Sequence, residues 1–214
     1  MEGDQIITVT QQPSWISDED IAELLHDAHK TTLEAGMHYA VLKQNGKDIR
    51  KRLGSDGVFF VAVTADKQLL GVSGISFYDK YNRWFTEGKP CAEVKLEGVR
   101  DSYKGKGING MIHKAVYEYA YERVDLLVTH TAQQNSIVIR NDLNRGWHVV
   151  DYDSWKATDY YSIILAKWKD GCPFSEQSCR LHFLLRKYRT KLIKNRYGQY
   201  RMPICFFRQK LRNR

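Results

Sequence analysis

The stretch that decides the fold runs from Val99 to His113 and reads VRDSYKGKGINGMIH. The residues before it, from Cys91 to Val99, alternate apolar with charged side chains, which is the period of a β-strand. From Ile108 onward, apolar residues recur three and four positions apart, which is the period of a helix. The stretch therefore predicts a strand, a glycine-rich turn and the start of a helix.

The turn between that strand and that helix has the chemistry of an anion site. The first N–H groups of a helix have no partner within it, and the helix dipole adds positive potential there. Glycine lets the oxygens of an anion approach the backbone closely, and two lysines supply further positive charge. We therefore predict a pyrophosphate site in the turn that contains Lys104, Gly105, Lys106, Gly107 and Gly110.

Two standard phosphate-binding motifs fit this turn less well. The P-loop needs G-x-x-x-x-G-K-[ST], and no Ser or Thr follows a lysine at that spacing. The dinucleotide fingerprint G-x-G-x-x-G matches Gly105, Gly107 and Gly110 formally. It belongs behind a buried parallel strand of continuous apolar residues, however, and the strand here is amphipathic. A dinucleotide site and an ordinary strand-to-helix turn stay open as alternatives.

Length and composition limit the class of protein. At 214 residues the chain suits one domain with a sizeable core and an appendage. It has no apolar run of about 18 residues, so no transmembrane helix is expected. Its first residues lack the pattern of a secretory signal. The four cysteines form no C-x-x-C pair, so we expect a reducing cytoplasm and no zinc site.

Positive charge is concentrated at the C-terminal end. Residues 171–214 contain 12 lysines and arginines and one acidic residue, which gives a net charge of +11. Residues 1–170 contain 21 lysines and arginines and 24 acidic residues, which gives a net charge of −3. Apolar residues recur at helical spacing within the basic segment: Leu181, Leu184, Leu185, Tyr188, Leu192 and Ile193. The segment therefore predicts a basic amphipathic helix, which either packs on its own domain or contacts a membrane surface or polyanion.

The remaining elements follow from periodicity and from turn residues. Alternating or continuous apolar runs predict six more strands, and helical spacing predicts three more helices. The strands are expected at 5–10, 58–64, 69–78, 124–131, 147–152 and 160–168, and the helices at 17–30, 46–53 and 135–144. The order along the chain is then β-α-α-β-β-β-α-β-α-β-β.

The glycine turn resembles the acyl-CoA loop of the GNAT superfamily of N-acyltransferases, whose motif is [QR]-x-x-G-x-[GA]. Lys104 stands at its first position, Gly107 at the fourth and Asn109 at the sixth. Lysine keeps the charge of the usual Arg, whereas asparagine replaces the usual Gly or Ala. Downstream, Asn135 followed by Asn144-Arg-Gly-Trp147 resembles the family's later N-(x)n-G-[FY] signature. The order of elements over residues 5–168 matches the family as well.

The resemblance implies an α/β (α+β) fold with a mixed, mostly antiparallel central sheet flanked by helices. Residues 1–170 would form this GNAT-like domain, and residues 171–214 a basic C-terminal extension. It also implies acetyl-CoA, or another acyl-CoA, as co-substrate, and no metal. The residues expected to bind the co-substrate are Val99, Lys104, Gly105, Lys106, Gly107, Ile108, Asn109, Gly110 and Asn135.

Acyl transfer to an amine needs no covalent nucleophile, and the sequence offers none in a recognisable setting, so we expect direct attack in a ternary complex. Glu93 and Glu97, expected on one face of the strand, are the candidate bases. The alternative for both is a solvated strand face with Lys95 between them. The family's usual late-helix tyrosine falls at Asp142 here. The proton for the thiolate would then come from Tyr103, from Tyr160 or Tyr161, or from solvent.

The resemblance and the charge pattern lead to two hypotheses of function. The first is an N-acetyltransferase acting on the primary amine of a small molecule or amino sugar, with aromatic residues in the 78–85 loop available to stack on a sugar ring. The second is a polyanion- or membrane-binding protein on a catalytically vestigial acyl-CoA fold. We expect a cytoplasmic protein, peripheral at an anionic membrane through its tail, without a specific nucleic acid partner. A homodimer is a further expectation.

Overall fold

The computed structural model describes residues 6–34, 44–154 and 161–196. It contains seven strands: β1 (Ile7–Gln11), β2 (Val58–Thr64), β3 (Leu69–Tyr78), β4 (Cys91–Val99), β5 (Leu126–Ala132), β6 (His148–Ser154) and β7 (Tyr161–Trp168). Its helices are α1 (Asp18–Glu34), α2 (Gly46–Leu53), α3 (Ile108–Tyr121), α4 (Ser136–Asn144) and α5 (Glu176–Arg196). The predicted order of elements is confirmed, and most boundaries agree within two residues.

All seven strands form one sheet in the order β1-β2-β3-β4-β5-β7-β6. Every neighbouring pair is antiparallel except β4 and β5, which are parallel. The predicted fold class, a mixed and mostly antiparallel sheet flanked by helices, is confirmed. The glycine turn follows β4 and leads into α3, as expected.

The two faces of the sheet carry separate apolar layers. The face covered by α3 buries Ile108, Ile112 and Val116 against the strands. The opposite face buries Ile21, Leu24 and Leu25 of α1 with Ile49 and Leu53 of α2. Both layers follow the three-and-four spacing of apolar residues along the helices, because that spacing places them on one side.

The starts of α1 and α2 are fixed by capping side chains. Before α1, the Ser17 hydroxyl accepts the Asp20 N–H at 3.1 Å, while the Asp20 carboxylate accepts the Ser17 N–H at 2.7 Å. Asn45 and Asp48 form the same reciprocal pair at α2. Helix α1 continues to Glu34, four residues beyond the predicted end at Lys30. No glycine or proline occurs in those four residues, so nothing in the sequence breaks the helix there.

A β-bulge in β4 determines which face its side chains point to. Ser73 of β3 stands opposite two residues, Leu96 and Glu97, and Leu96 has a φ of 55°. The bulge turns Leu96 into the α1–α2 layer and Glu97 toward α3. The prediction that Glu93 and Glu97 share one face is therefore wrong, since one extra residue reverses the alternation. Glu93 lies on the α1–α2 face.

Helix α5 packs on β6 at the far end of the sheet. Phe183 is buried with Tyr152 and Tyr161, and Cys179 is buried in the apolar cluster beneath the 79–90 loop. An ion pair between Arg186 and the buried Asp151 at 3.3 Å fastens the same side of the helix. The division of the chain at residue 170 stays a prediction, and residues 197–214 lie outside the described part of the chain.

Candidate active site

The glycine turn keeps the start of α3 open. Gly105 and Gly107 have φ angles of 80° and 78°, a left-handed backbone that side chains disfavour. A Cβ added at Gly110, in the first turn of α3, would meet nothing within 4 Å. Because Gly107 occupies the N-cap position and has no side chain, it leaves the first N–H groups of α3 uncapped. The turn therefore presents exposed backbone donors at a helix N-terminus, as an anion site requires.

The two lysines of the turn point in different directions. The Lys104 ammonium donates to the Ala28 carbonyl of α1 at 2.8 Å and pairs with Asp101. The Lys106 ammonium lies 4.7 Å from the centre of the Tyr103 ring. Lys104 thus bridges the turn to α1. Ile108, in contrast, buries its side chain in the core, so only its backbone can face a ligand.

An open edge of β4 runs up to the turn. The described β4–β5 ladder covers Ala92–Val94 only, whereas β4 continues to Val99, which pairs with Gly71 of β3 on its other side. The β5-facing backbone of Lys95 to Val99 is therefore outside that ladder. Gly98 lets α1 approach closely, since a Cβ there would lie 2.9 Å from the Ala28 methyl. Beyond Val94, the parallel strands β4 and β5 are therefore no longer paired.

Glu97 lies at this opening and is held from two helices. Its carboxylate accepts the Ser73 hydroxyl at 3.1 Å and contacts Nε2 of His113 in α3. Its backbone carbonyl is 2.9 Å from Nε2 of His29 in α1. The Glu97 side chain keeps 26% of its surface exposed, whereas His113 behind it keeps 5%. The carboxylate is thus fixed in place, while the side chain as a whole keeps about a quarter of its surface exposed.

Electrostatics keeps Glu97 ionised. Burial alone would raise the pKa of Glu97, but the neighbouring His113 and Ser73 more than offset burial and hold it below its usual value. Burial likewise opposes protonation of His113, yet the Glu97 carboxylate keeps the pKa of His113 above its ordinary range. A carboxylate in this state is unprotonated at neutral pH, as a general base must be, and its lowered pKa makes it a weaker base than an ordinary glutamate.

The network continues behind His113 with residues that sequence reasoning missed as site residues. Nδ1 of His113 is 3.0 Å from the Arg145 guanidinium and 3.2 Å from the Tyr117 hydroxyl, which accepts the Trp147 indole N–H at 2.8 Å. Arg145 also lies 3.9 Å from the buried Asp142. Burial, with Glu97 nearby, raises the pKa of Asp142 to about 6. One signal was available: His113 and Tyr117 are four residues apart, on one side of α3.

Glu93, the other candidate base, is committed to an ion pair. Its carboxylate lies 2.7 Å from the Lys95 ammonium and accepts the Tyr78 hydroxyl at 2.8 Å. Burial would raise the pKa of Glu93, but Lys95 and then His130 outweigh it and lower that pKa. Lys95 also donates to the Arg52 carbonyl of α2 at 3.3 Å. Glu93 is therefore paired with Lys95, the neighbour that the sequence offered as the alternative to a catalytic role.

The other predicted site residues have structural partners of their own. The Tyr103 hydroxyl donates to Gln68 at 2.9 Å, in the turn between β2 and β3. Asn135 is the N-cap of α4 and accepts the Val138 N–H at 3.4 Å. Tyr161 is buried and stacks on Tyr152. Tyr160 lies outside the described residues. Asn109 is half-buried in the first turn of α3. None of these contacts tests a catalytic or co-substrate role.

Within residues 6–34, 44–154 and 161–196, no three His, Cys, Asp or Glu side chains are grouped as metal ligands would be. Over the same residues, no helix has both the length and the apolar content that crossing a membrane requires.

Comparison with known proteins gives a match in structure alone. No protein-family model matches the chain, and no curated protein matches its sequence. A protein of Acinetobacter baylyi assigned as an acetyltransferase superposes with a TM-score of 0.58 at 16% identity, over 82% of this chain and 98% of its own. A GNAT-family acetyltransferase of Staphylococcus aureus gives 0.56 at 13% identity, over 77% and 99%.

A third match is the ribosomal-protein-S18-alanine N-acetyltransferase of Escherichia coli, with a TM-score of 0.54 at 13% identity over 76% of this chain and 94% of that one. At such identities the similarity concerns the fold. The element order, the parallel β4–β5 pair that splays and the glycine turn before α3 agree with it. The chain has the fold of the GNAT-family N-acetyltransferases.

Proposed function

We propose that the chain is an acyl-CoA-dependent N-acyltransferase that moves an acetyl group to the primary amine of a small molecule. The observation that carries the proposal is the position of Glu97. This ionised carboxylate, on a side chain that is 26% exposed, belongs to the part of β4 that lies beyond the β4–β5 ladder, two residues before Val99. Strand β4 thus carries the candidate base, Glu97, and leads directly into the turn proposed to bind pyrophosphate.

The residues present fit an acyl-CoA. The N–H groups at the start of α3 and the glycines at 105, 107 and 110 would receive the pyrophosphate, with Lys104 and Lys106 beside it. The backbone of Lys95 to Val99 that lies outside the β4–β5 ladder, apart from the Glu97 carbonyl held by His29, would pair with the amide groups of the pantetheine arm. When bound, the thioester supplies the activated acyl group.

The chain's own residues would then promote direct attack. Glu97 takes the proton from the acceptor's ammonium group, which leaves the amine lone pair free. The Val99 N–H, at the end of β4, would stabilise the negative charge on the thioester oxygen. As the C–N bond forms and the C–S bond breaks, the nitrogen releases its second proton to solvent, and the thiolate gains a proton from solvent or a nearby tyrosine. The products are an amide and free CoA thiol.

The 78–85 loop bears on the choice of acceptor. The aromatic residues of the 78–85 loop are occupied in packing, since Phe85 is buried and the Trp84 indole donates to the Val150 carbonyl at 3.1 Å. They therefore add no support for an amino sugar, although it stays within the class of primary amines. The Escherichia coli enzyme named above acts, by its name, on an alanine of a ribosomal protein, so peptide amines belong in a screen.

The test combines calorimetry with an acceptor screen. The full chain is titrated with acetyl-CoA, and then assayed with amines, amino sugars and short peptides by release of free thiol. We expect saturable binding of acetyl-CoA and thiol release that depends on the acceptor. If acetyl-CoA binds but no acceptor tested is acylated, the result would favour a binding protein on a catalytically vestigial acyl-CoA fold. If acetyl-CoA does not bind, both hypotheses would be contradicted.

We expect Lys104→Glu to weaken acetyl-CoA binding by at least about tenfold, or ~1.4 kcal/mol. The new carboxylate would repel the pyrophosphate, lie near Asp101 and lose the Lys104 contact with the Ala28 carbonyl. Lys114→Glu is the matched control, because it reverses an exposed lysine charge on α3, outside the glycine turn. An affinity equal to that of the control, measured by calorimetry, would remove Lys104 from the site.

We also propose that the basic extension binds an anionic membrane surface from a cytoplasmic location. Helix α5 packs through Cys179 and Phe183, and its outer side exposes Leu181, Leu185 and Tyr188 by 56%, 56% and 59%. These three residues recur at helical spacing, and Leu192 continues the series in sequence. Lysines and arginines flank the series in a segment of net charge +11. An apolar stripe bordered by cations suits an anionic lipid surface.

The full chain should co-sediment with vesicles that contain phosphatidylserine at low salt and release at about 0.5 M salt, where screening is strong. Replacing Leu181, Leu185 and Tyr188 together by serine should reduce the bound fraction by about tenfold or more. Ile137→Ser, on an exposed apolar residue of α4, is the control. Binding that ignores lipid charge and salt would contradict the proposal. If the unmodified chain is a dimer and the triple variant is a monomer, the stripe of Leu181, Leu185 and Tyr188 would instead be the contact with a second copy of the chain.

A further inference from the structure

His113 is a buried histidine that lies between the candidate base and an arginine. One ring nitrogen, Nε2, contacts the Glu97 carboxylate, and the other, Nδ1, is 3.0 Å from the Arg145 guanidinium. The two contacts join β4, α3 and the end of α4. His113 therefore connects the Glu97 carboxylate to Arg145.

Arg145 decides which ring nitrogen carries the proton when His113 is neutral. A guanidinium has N–H donors and no acceptor, so Nδ1 must offer a lone pair to it. In the neutral ring the proton is then on Nε2, from which it donates to Glu97. The Tyr117 hydroxyl, 3.2 Å from Nδ1, can donate to the same nitrogen because its oxygen already accepts the Trp147 indole N–H. Both neighbours on the Nδ1 side thus favour one tautomer.

We propose that His113 is a positioning residue for acyl transfer: its Nε2–H holds the Glu97 carboxylate at the open edge of β4, and Arg145 fixes that tautomer from behind. The inference rests on the proposed function. His113 does not touch the acceptor in this scheme, since its side chain is 5% exposed while that of Glu97 is 26% exposed. The proton lost by the ammonium goes to Glu97, and the imidazole keeps the carboxylate oriented to receive it.

The charged and titratable groups around the pair all come from packed elements. Glu97 faces His113 from β4, Tyr117 lies on α3, and Asp142 and Arg145 belong to α4 and the residue after it. His29 of α1 contacts the Glu97 carbonyl, and burial lowers the pKa of His29, so it serves as a neutral donor. Loss of His113 would leave burial as the main influence on Glu97, and burial raises its pKa.

The kinetic test compares His113→Leu with His113→Gln in the full chain. Glutamine retains a side-chain N–H for the carboxylate, whereas leucine has none. We expect kcat to fall by about tenfold or more in the leucine variant and by less than about threefold in the glutamine variant. The acid limb of the pH–rate profile should move to higher pH only with leucine. Acetyl-CoA affinity should be unchanged in both. Equal losses, or an unmoved profile, would overturn the positioning role.

A second measurement does not depend on turnover. Nitrogen-15 NMR of labelled histidines in the full chain, assigned by the loss of a signal in His113→Gln, should show the neutral ring protonated on Nε2. Glu97→Gln should lower the pKa of His113, and Arg145→Leu should raise it. A proton on Nδ1, or a titration that ignores Glu97→Gln, would overturn the proposal. Absence of turnover with every acceptor would count against the proposed function instead, and the NMR result would still decide the arrangement.

Discussion

We expect Gly107→Val to weaken acetyl-CoA binding by at least about a hundredfold, or ~2.7 kcal/mol. Gly107 has a φ of 78°, which a β-branched residue adopts only with strain. Nothing lies within 4 Å of the position that a Cβ would take, so the valine would project into the space in front of the α3 N–H groups. Strain and obstruction therefore act at the same point. Calorimetry with acetyl-CoA measures the loss.

The matched control is Gly88→Val, which separates obstruction from strain. Gly88 has a φ of 75°, and a Cβ there would also meet nothing within 4 Å, but it lies in the loop before β4. Both variants should lose a similar free energy of unfolding, about 1–2 kcal/mol for a left-handed residue. Only Gly107→Val should lose affinity. If both variants bind acetyl-CoA like the unmodified chain, the glycine turn is an ordinary strand-to-helix connection.

The second large effect is expected from Glu97→Gln, which should lower kcat by about a hundredfold or more while leaving acetyl-CoA affinity unchanged. Glutamine keeps the shape and can still accept the Ser73 hydroxyl, but it cannot take a proton. The loss should shrink as pH rises, because free amine then forms without a base. In the unmodified chain, the low pKa of Glu97 keeps the base active until the pH falls through that value.

Glu93→Gln is the isosteric control on the same strand. Its carboxylate is paired with Lys95 on the opposite face of the sheet, so we expect a smaller loss and no change in the shape of the pH–rate profile. The reverse order of effects would make Glu93 the base and would move the acceptor site to the α1–α2 face. If neither Glu97→Gln nor Glu93→Gln changes the pH–rate profile, the acceptor amine must reach the site already neutral.

The pattern along the chain was sufficient to predict the helices and strands and the position of the glycine turn. Alternation from Cys91 to Val99, helical spacing after Ile108 and the glycines between them are local signals, and each element formed where its period predicted. The open, left-handed glycines at 105 and 107 agree with the predicted anion site, since only glycine adopts that backbone at little cost. Local geometry of this kind depends on neighbouring residues and can be predicted from the sequence.

Tertiary structure decided the surroundings of the base. The two-residue period placed Glu93 and Glu97 together, but the bulge at Leu96 reversed the alternation, and its register depends on how β3 pairs with β4. The Glu97–His113–Arg145 arrangement joins residues 16 and 32 positions apart, a separation that no periodic pattern reports. Packing then set the direction in which the pKa values of Glu97, His113 and Asp142 shift, because a pKa depends on the charges and solvent that packing brings to a group. The sequence by itself determined the elements, their order and the glycine turn before α3. Only packing determined which carboxylate faces the opening and what holds it there.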